Sequence, residues 1–337
     1  MRIAAIATAL ALAATAVAAP PVQIEWSSGP EMPNPTAGGA TGIIGDELIV
    51  AGGTFWHTMQ SKRYVPWTQI YDITQGRWRL GPDLPSERAY AFSTVIGDAL
   101  YALGGCGQDG EPRSDGFVLV QREKADYAWE HGPDLPVAAN FQTGGVIGAT
   151  IYCTGGANAD LSETYNAVYA LDTRDHDAQW RELAAMPGPP VTLMAGATCG
   201  GDLFVFGGYR VDTDPPDNTD NAWRYVVAED RWERIRDLPF GARALSALAL
   251  DERRLLIFGP YVQSTRDAAV HGQEHGHSAA VLLYDIEQDR YYPLNPMPHC
   301  VVQIFFGLHD GTVYGAGGEW LYKIRSPFLF IGDLIRS

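Results

Sequence analysis

Long apolar runs and basic residues are both scarce in this chain. Beyond a stretch from Ile3 to Ala13, no segment approaches the roughly 20 apolar residues that a membrane-spanning helix needs, so membrane insertion is not expected. Lys and Arg number 24 against 40 Asp and Glu, a net charge of −16, and no Lys/Arg cluster stands out. Such a surface repels phosphates, which excludes nucleic acid as an expected partner, and any anionic ligand would need arginines brought together locally. Cysteine is sparse too: Cys106, Cys153, Cys199 and Cys300 follow no regular spacing. They allow one or two disulfides in an oxidising compartment, and buried free thiols fit them equally well.

The early apolar stretch follows Arg2 and gives way to the small residues Ala16-Val17-Ala18-Ala19 before Pro20-Pro21. That is the order of a secretory signal peptide, so residues 1–19 are expected to be removed and the mature protein to be periplasmic or secreted. Residues 20–337 are then read as one domain.

A repeat organises that domain. A diglycine ends an apolar run at Gly52-Gly53, Gly104-Gly105, Gly155-Gly156, Gly207-Gly208 and Gly317-Gly318, with Gly259-Pro260 in the place of the fifth copy. Successive first glycines lie 52, 51, 52, 52 and 58 residues apart. About half a repeat later comes Trp or Tyr and a Pro-ended turn, in the pairs Trp78 and Pro85, Trp129 and Pro136, Trp180 and Pro187, Trp232 and Pro239, and Tyr291 and Pro298, with Trp26 and Pro33 as a sixth. Tight hairpin turns are expected at Gly45-Asp46, Gly97-Asp98, Gly148-Ala149, Gly200-Gly201, Asp251-Glu252 and Asp310-Gly311. Each unit is therefore four antiparallel strands. The last unit has only one clear strand after its diglycine, near 327–334, and the segment from Val22 to Trp26 should complete it, pairing the two chain ends and removing the open seam.

A period near 50 residues carrying the diglycine, the Tyr-Asp pair and the tryptophan resembles the kelch family. The resemblance implies an all-β fold, a six-bladed kelch-type β-propeller whose ring is closed by the N-terminal strand. Fold at this level does not fix function. A narrower resemblance, to the N-acetylneuraminate (sialic acid) mutarotase and epimerase-like kelch proteins, rests on two segments. One is Gly52-Gly53-Thr54 with its long following loop and the run Arg88-Ala89-Tyr90-Ala91-Phe92-Ser93. The other is Gly317-Gly318-Glu319 with Arg325 six residues after the glutamate. The resemblance implies that Glu319 and Arg325 are a catalytic pair, and that the order of blades is circularly shifted. Five residues, Trp320-Leu321-Tyr322-Lys323-Ile324, separate the pair where the family usually has a small Lys-Pro-Gly-like turn.

Strand parity also directs attention there. In a four-stranded antiparallel blade the end of the second strand and the start of the first lie on one face, so loops after the diglycines converge with those after the Leu-Pro turns. Glu319, Arg88, Tyr90, Asn140 and Arg243 should then face one mouth of the central channel. On this reading Glu319 is a general base, Arg325 or Arg88 forks onto a sugar carboxylate, and Tyr90, Asn140 and Arg243 complete a substrate site. Each residue also has a plainer alternative: Glu319 and Arg325 as solvated charges, Arg88 and Arg243 as interblade ties to backbone carbonyls, Tyr90 as packing. The function read from the sequence is an exported isomerase of a sugar acid. The rival reading is a non-catalytic propeller that binds glycan or protein through the same loops.

Two further clusters point elsewhere. His271, His275 and His277 lie in the longest insertion, and Asp212, Asp214, Asp217 and Asp220 in a loop after the fourth diglycine. The histidines sit among glycines and the acids lack a terminal glutamate of the usual calcium loop. No metal and no cofactor are expected.

Overall fold

A computed structural model describes residues 20–123, 126–175, 177–214, 216–262 and 276–336. It contains six four-stranded antiparallel sheets and three small two-stranded ones. Among the described residues the one helical turn is Val227–Glu229, and no helix is long and apolar enough to cross a membrane. Blade one runs outward through Ala40–Ile44, Glu47–Ala51, Thr68–Asp72 and Arg77–Leu80. The inner strands of blades two to six are Phe92–Ile96, Asn140–Ile147, Ala195–Cys199, Ser246–Asp251 and Phe306–His309, and each packs beside the next around a closed ring. Blade six is completed by Val22–Ser28, which pairs antiparallel with Leu329–Arg336. The N-terminal segment is therefore the closing strand that the sequence predicts. Trp26 on it packs edge-on against Phe258, Phe306 and Phe330, joining the closure to the core between blades five and six.

The hairpin turns fall where expected in five blades. In blade five Asp251 pairs with Arg254, so the turn is Glu252-Arg253, one residue later than predicted; a register shift between Ala249 and Asp251 takes up the difference. Cys106, Cys153, Cys199 and Cys300 form no disulfide with one another, the first three are buried, and burial pushes Cys153 up to about 12.

The two repeated signatures have identifiable jobs. A Cβ on Gly52 would lie 2.2 Å from the carbonyl oxygen of Arg88 in the next blade, while the N–H of Gly53 donates to that same oxygen at 2.7 Å. Only a residue without a side chain, in the left-handed region, lets the neighbouring chain approach so closely. Blade five shows the logic in reverse: the space beside Gly259 is filled by the Val301 oxygen, but Pro260 has no N–H to offer it. The aromatic signature ties blades at their rims. The indole N–H groups of Trp26, Trp78, Trp129, Trp180 and Trp232 donate to carbonyls of Asn295, Pro30, Pro82, Asp134 and Ala184, each on the turn of the preceding blade. In blade five the Tyr291 hydroxyl donates to Arg236 in the same way. A bulky aromatic with one donor at its tip buries apolar area and satisfies a carbonyl at once, which is why tyrosine can replace tryptophan there.

Candidate functional site

At the entry to each inner strand, one residue adopts left-handed backbone: Gly38, Tyr90, Phe141, Leu193, Ala244 and Gln303, with φ between 54° and 70°. Five backbone hydrogen bonds link them around the axis: Tyr90 to Gly38, Phe141 to Tyr90, Ala244 to Leu193, Gln303 to Ala244 and Gly38 to Gln303. Left-handed backbone at a bulky residue is often a sign of a functional site. Here it recurs in every blade, so it belongs to the architecture: it turns each N–H toward the neighbouring blade and narrows the channel. The cavity at this ring is about 50 Å3, lined by Tyr90, Phe141, Leu193 and Gln303 among others. Ligand pockets run from roughly 300 Å3 upward, so a sugar acid would have to lie over the ring.

One step outward lies a second tier. The residue after each glycine pair forms a bridge to the residue before each left-handed one: Thr54 with Ala37, Cys106 with Ala89, Tyr209 with Thr192, Tyr261 with Arg243, and Glu319 with Val302. The corresponding pair in blade three is Ala157 with Asn140. Six equivalent positions therefore surround the mouth, and blade six is the one that puts a carboxylate there.

Glu319 is held from both sides. Glu319–Leu321 and Ile324–Arg325 form a short hairpin in which Glu319 stands directly opposite Arg325. The turn passes through Lys323 at φ 64°, so Trp320 to Ile324 make as tight a connection as a smaller sequence would. Nη1 of Arg325 donates to Glu319 Oε2. Nε and Nη2 of the same guanidinium donate to the carbonyl and hydroxyl of Thr54 in blade one, at 3.1 and 2.8 Å. On the blade-five side, Nε2 of His277 lies 3.5 Å from Glu319 Oε1, and the imidazole sits edge-on to Tyr261. His277 is buried, and neither of its nitrogens makes a well-formed hydrogen bond among the described residues. Burial raises the Glu319 carboxyl, but His277 and Arg325 together outweigh it and hold the group below the ordinary glutamate value. It is a carboxylate at neutral pH, and its side chain retains 19% exposure.

The other residues singled out in the sequence are dispersed. Tyr90 lines the mouth, its hydroxyl 3.5 Å from Thr54 Oγ1 and thus next to the Arg325 anchor. Arg243 is in blade five, its guanidinium between the rings of Tyr209 and Tyr261 at 4.2 and 4.4 Å and donating to Asn218. Asn140 begins the inner strand of blade three, across the ring from Glu319, and its side-chain oxygen is buried without a hydrogen-bond partner among the described residues. Arg88 corrects the expectation of a substrate-binding arginine. It is buried under the blade-two loop, donates to the carbonyls of Gly104 and Asp115 and to the Asp115 carboxylate, and stacks on Phe117. Its guanidinium ties the entry of blade two to that blade's own loop. Arg325 does not offer a free fork either, because Thr54 covers one edge and Glu319 another. His271 and His275 lie outside the described residues; His277, which the sequence offered only as one of a loop trio, is the histidine that reaches Glu319.

These features define a six-bladed propeller of the kelch type with an Arg-held carboxylate at one mouth. The chain matches the family model described as N-acetylneuraminate epimerase over residues 132–281. It is 34% identical to an N-acetylneuraminate epimerase of Haemophilus influenzae over 31% of this chain and 26% of that protein. An epimerase of the same name from Brucella suis is 32% identical over 43% and 37%, and a kelch domain-containing protein of Vibrio cholerae 31% over 40% and 36%. The matched stretches thus span about a quarter to two fifths of the relatives' own length. The family match covers Asn140, Arg243 and His277 and stops short of Glu319 and Arg325.

Proposed function

We propose that this protein is an exported mutarotase of a sugar acid, acting on N-acetylneuraminate or a related ulosonic acid. The observation that carries the reading is the Glu319 carboxylate, ionised and fixed between Arg325 and His277 over the channel mouth. Anomer exchange asks little more. Glu319 takes the proton of the anomeric hydroxyl, the ring C–O bond breaks with its electron pair going to the ring oxygen, and that oxygen takes a proton from water in the mouth. The hydroxyl so formed from the ring oxygen then attacks the ketone on its other face and gives its proton back to the hydroxide left in the mouth, while the former ketone oxygen takes back the proton held by Glu319, so nothing is consumed. Arg325 acts here by fixing the carboxylate and keeping it ionised.

The similarity to N-acetylneuraminate epimerases supports the substrate class. Export is supported by the composition of residues 1–19 and by the position of the closing strand: cleavage before Pro20 leaves Val22–Ser28 intact. A second reading, a non-catalytic glycan or protein binder, draws on Trp320, Tyr322, Ile324 and Met59, exposed large hydrophobics beside the mouth.

The test is anomer exchange of freshly released N-acetylneuraminate followed by NMR, with wild type and Glu319→Gln at equal concentration. A general base contributes roughly 100-fold or more, so the variant should fall to near the buffer rate. Equal rates for the two proteins leave the binding reading in place of the enzymatic one.

A further inference from the structure

We infer that Lys62, on the hairpin inserted after the first diglycine, is the residue that recognises the carboxylate of the sugar acid and so sets the preference for an anionic substrate. This rests on the function proposed above and names the cation that function requires. In a protein of net charge −16, an anion must find a local positive group whose charge is not already answered. Arg88 and Arg325 are buried and engaged. Arg113 and Arg210, on loops of the same face, pair with Asp109 and Asp212. The Lys323 ammonium bonds the Met59 carbonyl and covers Trp56, at the hairpin tips.

Lys62 differs in each respect. Its ammonium has no carboxylate within 4.0 Å among the described residues; it donates to the Tyr64 hydroxyl at 3.1 Å and lies 4.7 Å from the centre of the Tyr90 ring, at the mouth. Burial holds the Tyr64 phenol far above its ordinary value, so that neighbour stays neutral and leaves the ammonium charge unanswered.

The position is also built. Thr54–Thr58 and Ser61–Tyr64 pair as a hairpin, and Gln108 of the blade-two loop bonds the Tyr64 N–H and the Lys62 carbonyl, pinning the strand that carries the lysine. From Lys62 the contacts run through Tyr90 to Thr54 and so to Arg325 and Glu319. A pyranose lying over the ring can therefore meet an ammonium at one end and the base at the other. A lysine head, unlike a guanidinium fork, serves a carboxylate from a single point.

The experiment compares dissociation constants, by NMR titration, for N-acetylneuraminate and its methyl ester, which lacks the charge, in wild type, Lys62→Met and Lys62→Arg. Wild type should prefer the acid by about tenfold or more, as for a hydrogen bond to a charged group. Lys62→Met should lose that preference by weakening the acid alone, with the ester unchanged, and Lys62→Arg should keep most of it. Equal weakening of acid and ester makes Lys62 a mere prop of the hairpin, and unchanged acid affinity in Lys62→Met removes it from recognition; either result overturns the inference. A wild type that binds neither sugar overturns it together with the proposed function. Anomer exchange by Glu319→Gln separates the two failures: normal exchange in that variant defeats the proposed base and leaves the affinity comparison standing.

Discussion

Two buried arginines, each paired with a carboxylate, stand in different settings. At the start of blade two, Arg88 is buried, bonds the Gly104 and Asp115 carbonyls of that blade's own loop and meets a carboxylate, Asp115. At the junction of blades six and one, Arg325 is equally buried, bonds Thr54 across the gap and meets a carboxylate, Glu319. The difference is where the acid sits. Asp115 lies in the connection between blade-two strands, 41% exposed and away from the ring, so its charge only secures the arginine. Glu319 occupies the position after a glycine pair, next to Val302 and Gln303 at the channel, with His277 on its far side. One pair is closed within its own blade and the other leaves a carboxylate beside the channel. What sets the two buried arginines apart is thus the placement of the acidic partner.

The sharpest way to break this comparison is at the acid. Glu319→Gln should lose about two orders of magnitude or more in anomer exchange, whereas Asp115→Asn should leave exchange at the wild-type rate and lower only the melting temperature. Loss of exchange in Asp115→Asn would erase the distinction. Next come the arginines by stability. Arg88→Met orphans two carbonyls and a carboxylate and should cost about 2–3 kcal/mol in denaturant unfolding, with exchange by the folded fraction intact. An unchanged unfolding midpoint would show that the tie is idle. Smaller is the contribution of His277. His277→Phe takes away the imidazole 3.5 Å from Glu319 Oε1 and should lower exchange by about several-fold, as for the loss of one nearby polar group that favours the ionised carboxylate, and move the acid limb of the pH profile upward.

The smallest expected effect is on acid stability. Glu319 and Asp115 both stand below their ordinary values, Glu319 because His277 and Arg325 outweigh burial, Asp115 chiefly through its bond to Arg88. A carboxyl lowered in the folded state contributes stability that is complete above its unfolded value and disappears as pH falls through the folded one. The stability gap between wild type and Glu319→Gln should therefore shrink as pH drops below the ordinary glutamate value of about 4.5. A gap that widens on acidification contradicts the assigned direction.

Much of the fold was legible because its signatures are local and repeated. A glycine pair is needed wherever the next blade's carbonyl approaches, and an aromatic with a donor wherever the previous turn must be tied, so both recur at the blade period and can be read in the chain. The closing strand was legible by subtraction, since blade six lacked an outer strand and Val22 to Trp26 matched one. Glu319 with Arg325 was singled out through the resemblance to the sialic acid mutarotase family, and a hairpin brings the two into register. His277 and Lys62 were not: their approach to the mouth is set by contacts between blades, which leave no pattern along the sequence. Arg88 was misleading for a similar reason, because its position after a Leu-Pro turn matches that of Arg243, and only Asp115 shows that its guanidinium turns into the blade-two loop.

The most direct measurement is anomer exchange by Arg325→Met beside Arg88→Met, each assayed at a temperature where unfolding curves show it folded. The account predicts that Arg325→Met loses at least about tenfold, as its loss releases the carboxylate that a charged hydrogen bond holds, while Arg88→Met matches wild type. Equal rates for the two variants, whether both normal or both lost, would contradict the claim that one arginine serves the site and the other the fold.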